Sequence, residues 1–361
     1  MGAGPLPGPA GHARRPPGRG ARPDDGDLRG QAARLRRSDR AVRGDRRDAV
    51  QAHRPARRRA PPRGHDGEAG LALRARPRRG LGRRRGGLPG DPQLHHSSRG
   101  GVALSTRIAV LSDVHGNLGA LEAVREAVKK EKPDVVLVAG DHVMNGPEPG
   151  ATVDAIREME RDGAIVVQGN TDIAVADGDY AAAFPWLLES GITDPMRASA
   201  EWAHDALDDD QLAWLRRLPA ERRVRIGDDL VLLTHASPGS QTQGFNRDLD
   251  PSTVLERISR TDARVICCGH THIPDIQEFG WKVVVNDGSS GWVFDGDPTA
   301  SWALVTIGDA ADGGDGDGSS ITAEIRRADY DVLATANAIA ERGLPGDVYR
   351  AATVRTGKLV R

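Results

Sequence analysis

The sequence predicts an α/β domain that begins near Thr106, and three observations support this. From that point, short β-branched runs alternate with amphipathic stretches, which is typical of strands followed by helices. The start of this region reads as a strand-helix-strand-helix-strand unit, whose crossovers favour a parallel sheet. The preceding residues differ sharply in composition, so we expect two parts, residues 1–103 and residues 104–361.

Residues 1–100 contain 25 Arg, no Lys and nine acidic residues, a net charge of +16, so the rest of the chain must carry −17. They also lack Ile, Phe, Tyr, Trp, Thr, Asn and Cys. Such a segment cannot bury enough apolar surface to offset its loss of entropy, so we expect residues 1–103 to be disordered. An Arg-rich arm could bind nucleic acid or an acidic membrane through charge alone. We favour another interpretation, translation of a GC-rich frame upstream of a true start between Val102 and Thr106.

The predicted elements of the domain follow in chain order. Strands are expected at 107–111, 134–139, 164–167, 230–233, 264–268, 282–285, 302–307 and 321–326, where β-branched and other apolar residues cluster. Helices are expected after the first strand, where Leu118, Leu121, Val124 and Val128 recur at helical spacing, and at 152–161, 251–260 and 332–342. Asp250 is placed to cap the helix that Pro251 opens. A Gly/Asp-rich loop is expected at 308–320.

The middle section, residues 173–218, is helical in character and contains three tryptophans. We expect Trp186, Trp202 and Trp214 to be packing anchors, and a ligand cage is the alternative.

The sequence predicts a cytoplasmic protein. No apolar run approaches the roughly 18 residues of a membrane-spanning helix, and the amino terminus lacks the apolar core of a secretory signal. Cys267 and Cys268 are adjacent, and a disulfide between them would strain the backbone. We therefore expect both to be reduced core residues, in keeping with a reducing compartment.

Polar side chains follow five of the predicted strands, at the point where each strand ends. They comprise two Asp, one Asn and four His: Asp113, His115, Asp141, Asn170, His235, His270 and His272. In α/β sheets the carboxyl ends of the strands are where ligands bind. Glycines accompany these side chains and would let the backbone approach closely and turn sharply: Gly116, Gly140, Gly169 and Gly269. Each motif alone is weak, but four of the six histidines after residue 100 fall within them.

Carboxylate and imidazole ligands together suit Mn, Fe or Zn. Seven ligands are too many for one ion with an open position, so we expect two divalent ions, Mn first and otherwise Fe, Zn or Ni, that share Asp141. Two ions about 3.5 to 4 Å apart can hold both the attacking and leaving oxygens of a phosphoryl group. We therefore expect a metal-dependent phosphoesterase in which a metal-bridging hydroxide attacks phosphorus.

The ordered series of motifs resembles the calcineurin-like metallophosphoesterase superfamily, from Arg107 to about Tyr330. The small residue at position 171 resembles the compact bacterial and archaeal phosphodiesterase branch. The resemblance implies a four-layer sandwich of two mixed β-sheets flanked by helices. It also implies that one ion is held by Asp113, His115 and His272 and the other by Asn170, His235 and His270, with Asp141 between them.

Calcineurin-type phosphatases carry a His where this chain has Thr171, and that His is thought to help protonate the leaving group. The difference favours esters with good leaving groups or another proton donor, for which His142 is the candidate. The alternative is that His142 is a loop residue that points away, since neighbours on a strand end face opposite ways. Asp172 is expected to orient Asn170, so that both belong to the catalytic set with His142.

We also expect Gly116, Asn117 and Thr171 to contact the substrate. The segment 286–291 resembles a Gly/Ser loop of the same branch, and its contact with substrate is left open.

The favoured substrate is a phosphodiester or another small phosphate ester, such as a nucleotide phosphate. The charge of −17 argues against long nucleic acids, because the domain would repel a polyanion. Two alternatives are a phosphoprotein phosphatase and a non-catalytic protein-binding scaffold of the same fold, of which a retromer subunit is an example. No P-loop or dinucleotide fingerprint is present, so a nucleotide cofactor is not expected.

Overall fold

The computed structural model describes residues 105–187, 189–308 and 319–361. The predictions for residues 1–103, and for most of the loop at 308–320, lie outside these residues.

The strands are β1 (Thr106–Leu111), β2 (Val135–Val138), β3 (Ile165–Val166), β4 (Glu221–Ile226), β5 (Asp229–Thr234), β6 (Val265–Cys268), β7 (Asp275–Glu278), β8 (Val283–Asn286), β9 (Ala300–Gly308) and β10 (Ser320–Ala328). The helices are α1 (Leu118–Glu131), α2 (Pro149–Arg161), α3 (Asn170–Asp177), α4 (Tyr180–Ala183), α5 (Asp194–Asp205), α6 (Asp209–Arg217), α7 (Pro251–Ile258), α8 (Val332–Arg342) and α9 (Asp347–Thr356). A 3₁₀ helix spans Pro185–Leu187. None of the helices in the described residues is long and apolar enough to cross a lipid bilayer.

Two mixed five-stranded sheets form the centre of the domain. The first has the order β10-β9-β1-β2-β3, with β1, β2 and β3 parallel and β9 antiparallel to both β1 and β10. The second has the order β4-β5-β6-β8-β7, with β5, β6 and β8 parallel and the two edge strands antiparallel. Strands β1 and β2 of the first sheet are parallel neighbours, as are β5 and β6 of the second. The carboxyl ends of each pair therefore lie at one edge of their sheet, which is where α/β sheets bind ligands.

The alternation of side chains along β1 shows how the layers pack. Ile108 and Val110 belong to an apolar cluster that joins the two sheets, whereas Ala109 and Leu111 belong to the cluster formed with α1 to α3, α5 and α6. On the outer face of the second sheet, Ile266 packs with residues of α7. The layers are therefore helices, sheet, sheet and helix, which confirms the predicted sandwich of two mixed sheets flanked by helices.

Local signals placed the helices that support the site. In α1 the four residues at helical spacing, Leu121 and Val124 among them, are buried or packed on the core, and Asn117 caps its amino terminus through Oδ1. In α7 the carboxylate of Asp250 accepts from the backbone N–H of Ser252 and Thr253, as predicted for a cap. Full burial of a Leu or Val contributes about 1.5 to 3 kcal/mol, so these stripes fix the helices firmly against the sheet.

Three elements were not predicted. Strand β4 is an edge strand with Arg at positions 222, 223 and 225, and only Val224 and Ile226 are buried. Strand β7 is also a polar edge strand, and α9 has few large apolar residues. In each case a single narrow buried face gives little hydrophobic periodicity in the sequence.

Candidate metal centre

The carboxyl ends of five strands, from both sheets, bring seven polar side chains into one cluster. In the first sheet, β1 is followed by Asp113 and His115, β2 by Asp141 and β3 by Asn170. In the second sheet, β5 is followed by His235, and β6 by His270 and His272. Six of these seven residues are at most 5% exposed. The candidate ligands named from the sequence are thus brought together.

Four of them form a first ligand set: Asp113, His115, Asp141 and His272. Each offers a ligand atom, and these atoms all lie within 4.8 Å of one another. His272 Nε2 lies 3.1 Å from Asp113 Oδ1 and 3.3 Å from His115 Nε2. His115 Nε2 lies 3.6 Å from Asp141 Oδ2. A buried group of two carboxylates and two imidazoles with this spacing could hold a divalent cation.

The second ligand set lies on the other side of Asp141. His235 Nε2 is 3.4 Å from Asp141 Oδ1, 3.0 Å from Asn170 Oδ1 and 3.1 Å from His270 Nδ1. The two carboxylate oxygens of Asp141 are therefore divided, with Oδ2 toward the first set and Oδ1 toward the second. This is the geometry expected of a carboxylate shared between two sites.

The hydrogen bonds of the imidazole rings test whether a cation fits. His272 Nδ1 pairs with the carbonyl oxygen of Trp292, and His235 Nδ1 pairs with that of Ala139 at 2.7 Å. Since a carbonyl can only accept, both Nδ1 atoms carry the proton, and in neutral rings both Nε2 atoms present a lone pair to the cluster. Asp113 Oδ1 finds no hydrogen-bond partner among the described residues. Lone pairs that converge without protons fit a bound cation.

Burial and neighbouring charges shift the pKa values of the ligands in opposite directions. Burial raises the pKa of Asp141 to about 7, an effect that His235 opposes and Asp113 reinforces. Burial also favours the neutral form of Asp113, but the adjacent His272 and other rings hold the pKa of Asp113 below its ordinary value. Burial, together with repulsion by His235, lowers the pKa of His270 to about 3. Burial alone would lower the pKa of His235, but Asp141 and Asp113 raise it above its ordinary value, so a proton would compete with a bound cation at both Asp141 and His235.

Most of the ligands have an uncommon backbone conformation. Five of them are in the left-handed region, with φ of +52° for Asp113, +53° for His115, +52° for Asp141, +71° for His270 and +60° for His272. Residues other than glycine seldom adopt it, and each instance costs of order 1 to 3 kcal/mol. Backbone hydrogen bonds hold the loops in place, from Asp113 to the carbonyl of Gly140 (3.0 Å) and from His115 to that of Asp141 (2.9 Å).

Two glycines allow these loops to come close. Gly140 has φ of +86°, and a Cβ atom there would lie 2.6 Å from the backbone nitrogen of Gly169. Gly169 has an extended φ of −103° but no room for a side chain, because its Cα faces the backbone and carboxylate of Asp141. The first glycine is required for both its conformation and its size, and the second for its size alone.

The residues expected to contact substrate have other partners. Asn117 is 1% exposed, and its side chain caps α1 and donates to the carbonyl of Gly291 (2.9 Å). Gly116 is buried, with φ of +70°, and its N–H donates to the carbonyl of His142. Thr171 Oγ1 donates to the carbonyl of Val143 (3.0 Å). All three residues thus support the loops that carry the candidate ligands, and their contact with substrate stays a prediction.

His142 and Asp172 also support the backbone. The ring of His142 is fully buried, its Nε2 is bonded to the carbonyl of Val167 (2.9 Å), and it packs on Trp214. The carboxylate of Asp172 accepts from the N–H of His142 and of Gly169, both at 2.8 Å. These contacts are those of a supporting residue, and the role of His142 as proton donor stays a prediction. Asp172 positions Asn170 through the backbone and makes no bond to its side chain in the described residues.

Other residues of the site were not identified from the sequence. The hydroxyl of Ser112 donates to Asp113 Oδ2, which also accepts from the N–H of His270 (2.8 Å). The ring of Phe294 stacks on His272, with centroids 4.3 Å apart. The signal for Ser112 was its place just before Asp113. Phe294 gave none, since an aromatic residue in a loop is compatible with many roles.

The loop at 286–291 contacts the backbone of the first strand end. Ser289 Oγ donates to the carbonyl of Asp113 (2.8 Å), and the N–H of Ser290 donates to the carbonyl of Ser112 (2.8 Å). Both serines are fully buried. The question that the sequence left open is thus answered in favour of a supporting role for this loop.

The three tryptophans of the middle section differ in environment. Trp214 is 4% exposed, and its Nε1 donates to Glu160 (2.7 Å), while Trp202 is partly buried under the guanidinium of Arg342. Both are packing anchors as predicted. Trp186 is 55% exposed, so the prediction is wrong for that residue.

Known proteins are similar to this chain in sequence or in structure. The chain is 26% identical over 257 residues to an uncharacterized protein of Methanocaldococcus jannaschii, MJ0912, covering 67% of this chain and 95% of that protein. A metallophosphoesterase from Sphaerobacter thermophilus is similar in structure, with 25% identity, a TM-score of 0.52 and coverage of 70% of this chain and 99% of the other. The hypothetical protein PH1004 from Pyrococcus horikoshii shares the fold, with 21% identity, a TM-score of 0.58 and coverage of 70% and 98%.

The family comparison covers most of the described domain. Residues 106–310 match the model of the calcineurin-like phosphoesterase superfamily domain. This range contains all seven candidate ligands and every strand of the two sheets apart from β10. The chain belongs to the calcineurin-like phosphoesterase superfamily.

Proposed function

We propose that the domain is a metal-dependent hydrolase of phosphodiesters or other small phosphate esters, with a site for two divalent cations. The observation that carries this proposal is the division of Asp141, with one oxygen 3.6 Å from His115 Nε2 and the other 3.4 Å from His235 Nε2. Two bound ions would lower the pKa of a coordinated water toward neutrality and stabilise the charge of the phosphoryl group. The mixed nitrogen and oxygen ligands suit Mn, Fe or Zn, and we propose Mn.

The contribution of the chain is to hold the ligand atoms in place before a cation binds. The N–H of Thr171 donates to Asp141 Oδ1 (2.8 Å) and fixes the orientation of the shared carboxylate. Ser112 and the N–H of His270 do the same for Asp113. Ligands that are already oriented lose little freedom on binding, which favours tight coordination.

The described residues offer no obvious proton donor for the leaving group. Outside the ligand sets, His142 is bonded to the carbonyl of Val167, and Nδ1 of His204 is bonded to that of Val175 (2.7 Å). The hydroxyl of Thr171 is bonded to Val143. This supports substrates whose leaving group is stable without protonation, such as aryl or other acidic alcohols.

We also propose that the protein acts in the cytoplasm. Cys267 and Cys268 are both unpaired and fully buried, and burial raises the pKa of each thiol, so they are unreactive core residues. Reduced cysteines are the ordinary state in a reducing compartment.

The test uses the full chain with Mn²⁺. Hydrolysis of an aryl phosphodiester is compared with that of the corresponding monoester and of a phosphopeptide, and bound metal is measured by elemental analysis. Asp141→Asn should abolish diester turnover and reduce the bound metal, whereas Asp154→Asn, on the exposed face of α2, should leave both unchanged. Preference for the phosphopeptide would favour a phosphoprotein phosphatase. Bound metal without turnover of any of the three would favour a protein-binding scaffold.

A further inference from the structure

An exposed aromatic side chain lies beside the second ligand set. Trp186, in the 3₁₀ helix Pro185–Leu187, is 55% exposed. Its ring centroid is 6.4 Å from that of His270, and the two planes meet at 62°. Burial is the main source of stability that a tryptophan supplies, so a ring that remains half in solvent contributes little of it. Its position next to a candidate ligand calls for another explanation.

A contact from within the domain restricts the orientation of this ring. Phe184, which is 4% exposed, meets Trp186 edge to face, with centroids 5.7 Å apart and planes at 70°. The ring is thus in contact with a core residue on one side and with a candidate ligand on another, while much of its surface stays accessible. A flat, oriented and accessible ring is suited to stack on another flat ring.

We propose that Trp186 is a specificity-determining residue that stacks on a nucleobase of the substrate, so that the substrates are nucleoside phosphodiesters. The proposal rests on the proposed function, because the phosphoryl group must lie between the ligand sets for the base to reach Trp186. His270 would be among the residues that hold the second ion, and a phosphoryl group bound there would lie on the side of the cluster that Trp186 adjoins. An uncharged base also suits a region whose net charge is −17, because it adds no further negative charge to the substrate.

The test compares two diesters with the same leaving group, the p-nitrophenyl ester of thymidine monophosphate and methyl p-nitrophenyl phosphate. The full chain with Mn²⁺ should prefer the thymidine ester. Trp186→Ala should lower kcat/KM for that ester by about tenfold or more, the effect of losing one stacked base, and lower it for the methyl ester by a much smaller factor. Trp186→Phe should retain most of the preference. The matched control is Trp281→Ala, at an equally exposed tryptophan (52%) in the turn between β7 and β8, and it should change neither rate.

A binding measurement provides a readout that does not need turnover. Calorimetry with the Mn²⁺-loaded protein should show tighter binding of thymidine monophosphate than of methyl phosphate, and Trp186→Ala should abolish the difference. An equal loss for both ligands would overturn the proposal and give Trp186 a structural role. A preference for the thymidine compounds that survives in Trp186→Ala would also overturn it. The same holds if Trp186→Ala lowers kcat/KM for octyl p-nitrophenyl phosphate as much as for the thymidine ester.

The two proposals fail in different ways. If the wild-type protein hydrolyses both esters without preference, the proposed role of Trp186 is wrong, whereas the proposed phosphodiesterase activity is supported. If it hydrolyses neither, the proposed function is wrong, and calorimetry still decides whether Trp186 binds a base.

Discussion

Replacing Gly140 by Ala is expected to disrupt the metal centre by pushing two ligand loops apart. Gly140 directly precedes Asp141, and a Cβ atom there would lie 2.6 Å from the backbone nitrogen and 2.8 Å from the Cα of Gly169, the residue before Asn170. Favourable contacts between such atoms are about 3.5 to 4.0 Å, so the two backbones would have to separate by roughly 1 Å. Because both atoms belong to the backbone, no change of side-chain rotamer relieves the overlap.

The size of the effect has two parts. A left-handed Ala costs about 1 to 2 kcal/mol, and an overfilled site costs about 1 to 3 kcal/mol. For a domain of this size, a loss of about 2 to 5 kcal/mol lowers Tm by roughly 5 to 20 °C. Metal-ligand distances tolerate only about 0.2 Å, so a displacement near 1 Å should weaken Mn²⁺ binding, and a misplacement of about 1 Å can lower a rate by about 10²-fold.

Gly280→Ala is the matched control. Gly280 has φ of +78°, close to the +86° of Gly140, but a Cβ atom there would meet nothing within 4 Å. It therefore carries the conformational cost without the overlap. Thermal unfolding, Mn²⁺ titration and hydrolysis of an aryl diester should separate the two variants. The reasoning is refuted if Gly140→Ala binds Mn²⁺ as tightly as the wild type and unfolds at the same temperature as Gly280→Ala.

Three further predictions concern protons, packing and the leaving group. Since the pKa of Asp141 is raised to about 7, a proton competes with the cation, so Mn²⁺ affinity measured by calorimetry should fall by up to about tenfold per pH unit below 7; a flat profile would contradict this. Arg342→Met leaves the buried Asp347 without one of its partners and should lower the free energy of unfolding by about 3 to 5 kcal/mol. The more exposed Arg125→Met should cost about 1 kcal/mol or less, and equal denaturation midpoints would refute the difference. Since His142 and Thr171 are bonded to backbone carbonyls, we expect no help to the leaving group from either, and kcat/KM should fall by about 10²-fold or more as aryl leaving groups become less acidic; a flat series would point to a donor.

The sequence predicted the ligand side chains well because their position depends on strand ends. A β-branched run followed by Asp113 or His270 is visible without knowledge of the fold, and parallel strands bring such residues to one edge. The sequence could not show that these same residues would be left-handed. Such a conformation is rare outside glycine, and tertiary hydrogen bonds such as that from Asp113 to Gly140 hold it in place.

The roles of neighbouring residues were the least predictable part. Asn117, His142 and Thr171 each lie within a few residues of a ligand, and adjacency alone suggested contact with substrate or proton transfer. What decides their role is the direction of the side chain, and in all three it leads to a backbone carbonyl. Loops that cross at a buried site contain carbonyl groups that need donors, and nearby polar side chains supply them.

The C-terminal helices support the loop that follows Asp141, and no sequence motif predicted this contact. Arg342 of α8 donates to the carbonyls of Asn145 (2.8 Å) and Gly146 (2.7 Å), in the loop that follows Asp141. Asn145 itself has φ of +75°, so the loop continues the strained conformation of the ligand. The pairing of Arg342 with Asp347 joins α8 to α9 and fixes the guanidinium. A contact between residues almost two hundred positions apart thus maintains the backbone beside the shared carboxylate.

The cluster of candidate ligands lowers the stability of the metal-free domain. Two buried carboxylates face each other across His115, five ligands are left-handed, and the pKa of Asp141 is raised because burial disfavours its charge. Each of these is unfavourable in a metal-free protein, and the two packed sheets and the α8–α9 network are what tolerate them. A divalent cation would offset the electrostatic part, because it would place positive charge beside Asp141, whose charged form burial disfavours. The features that are unfavourable in the metal-free domain are therefore the ones that a bound cation would offset.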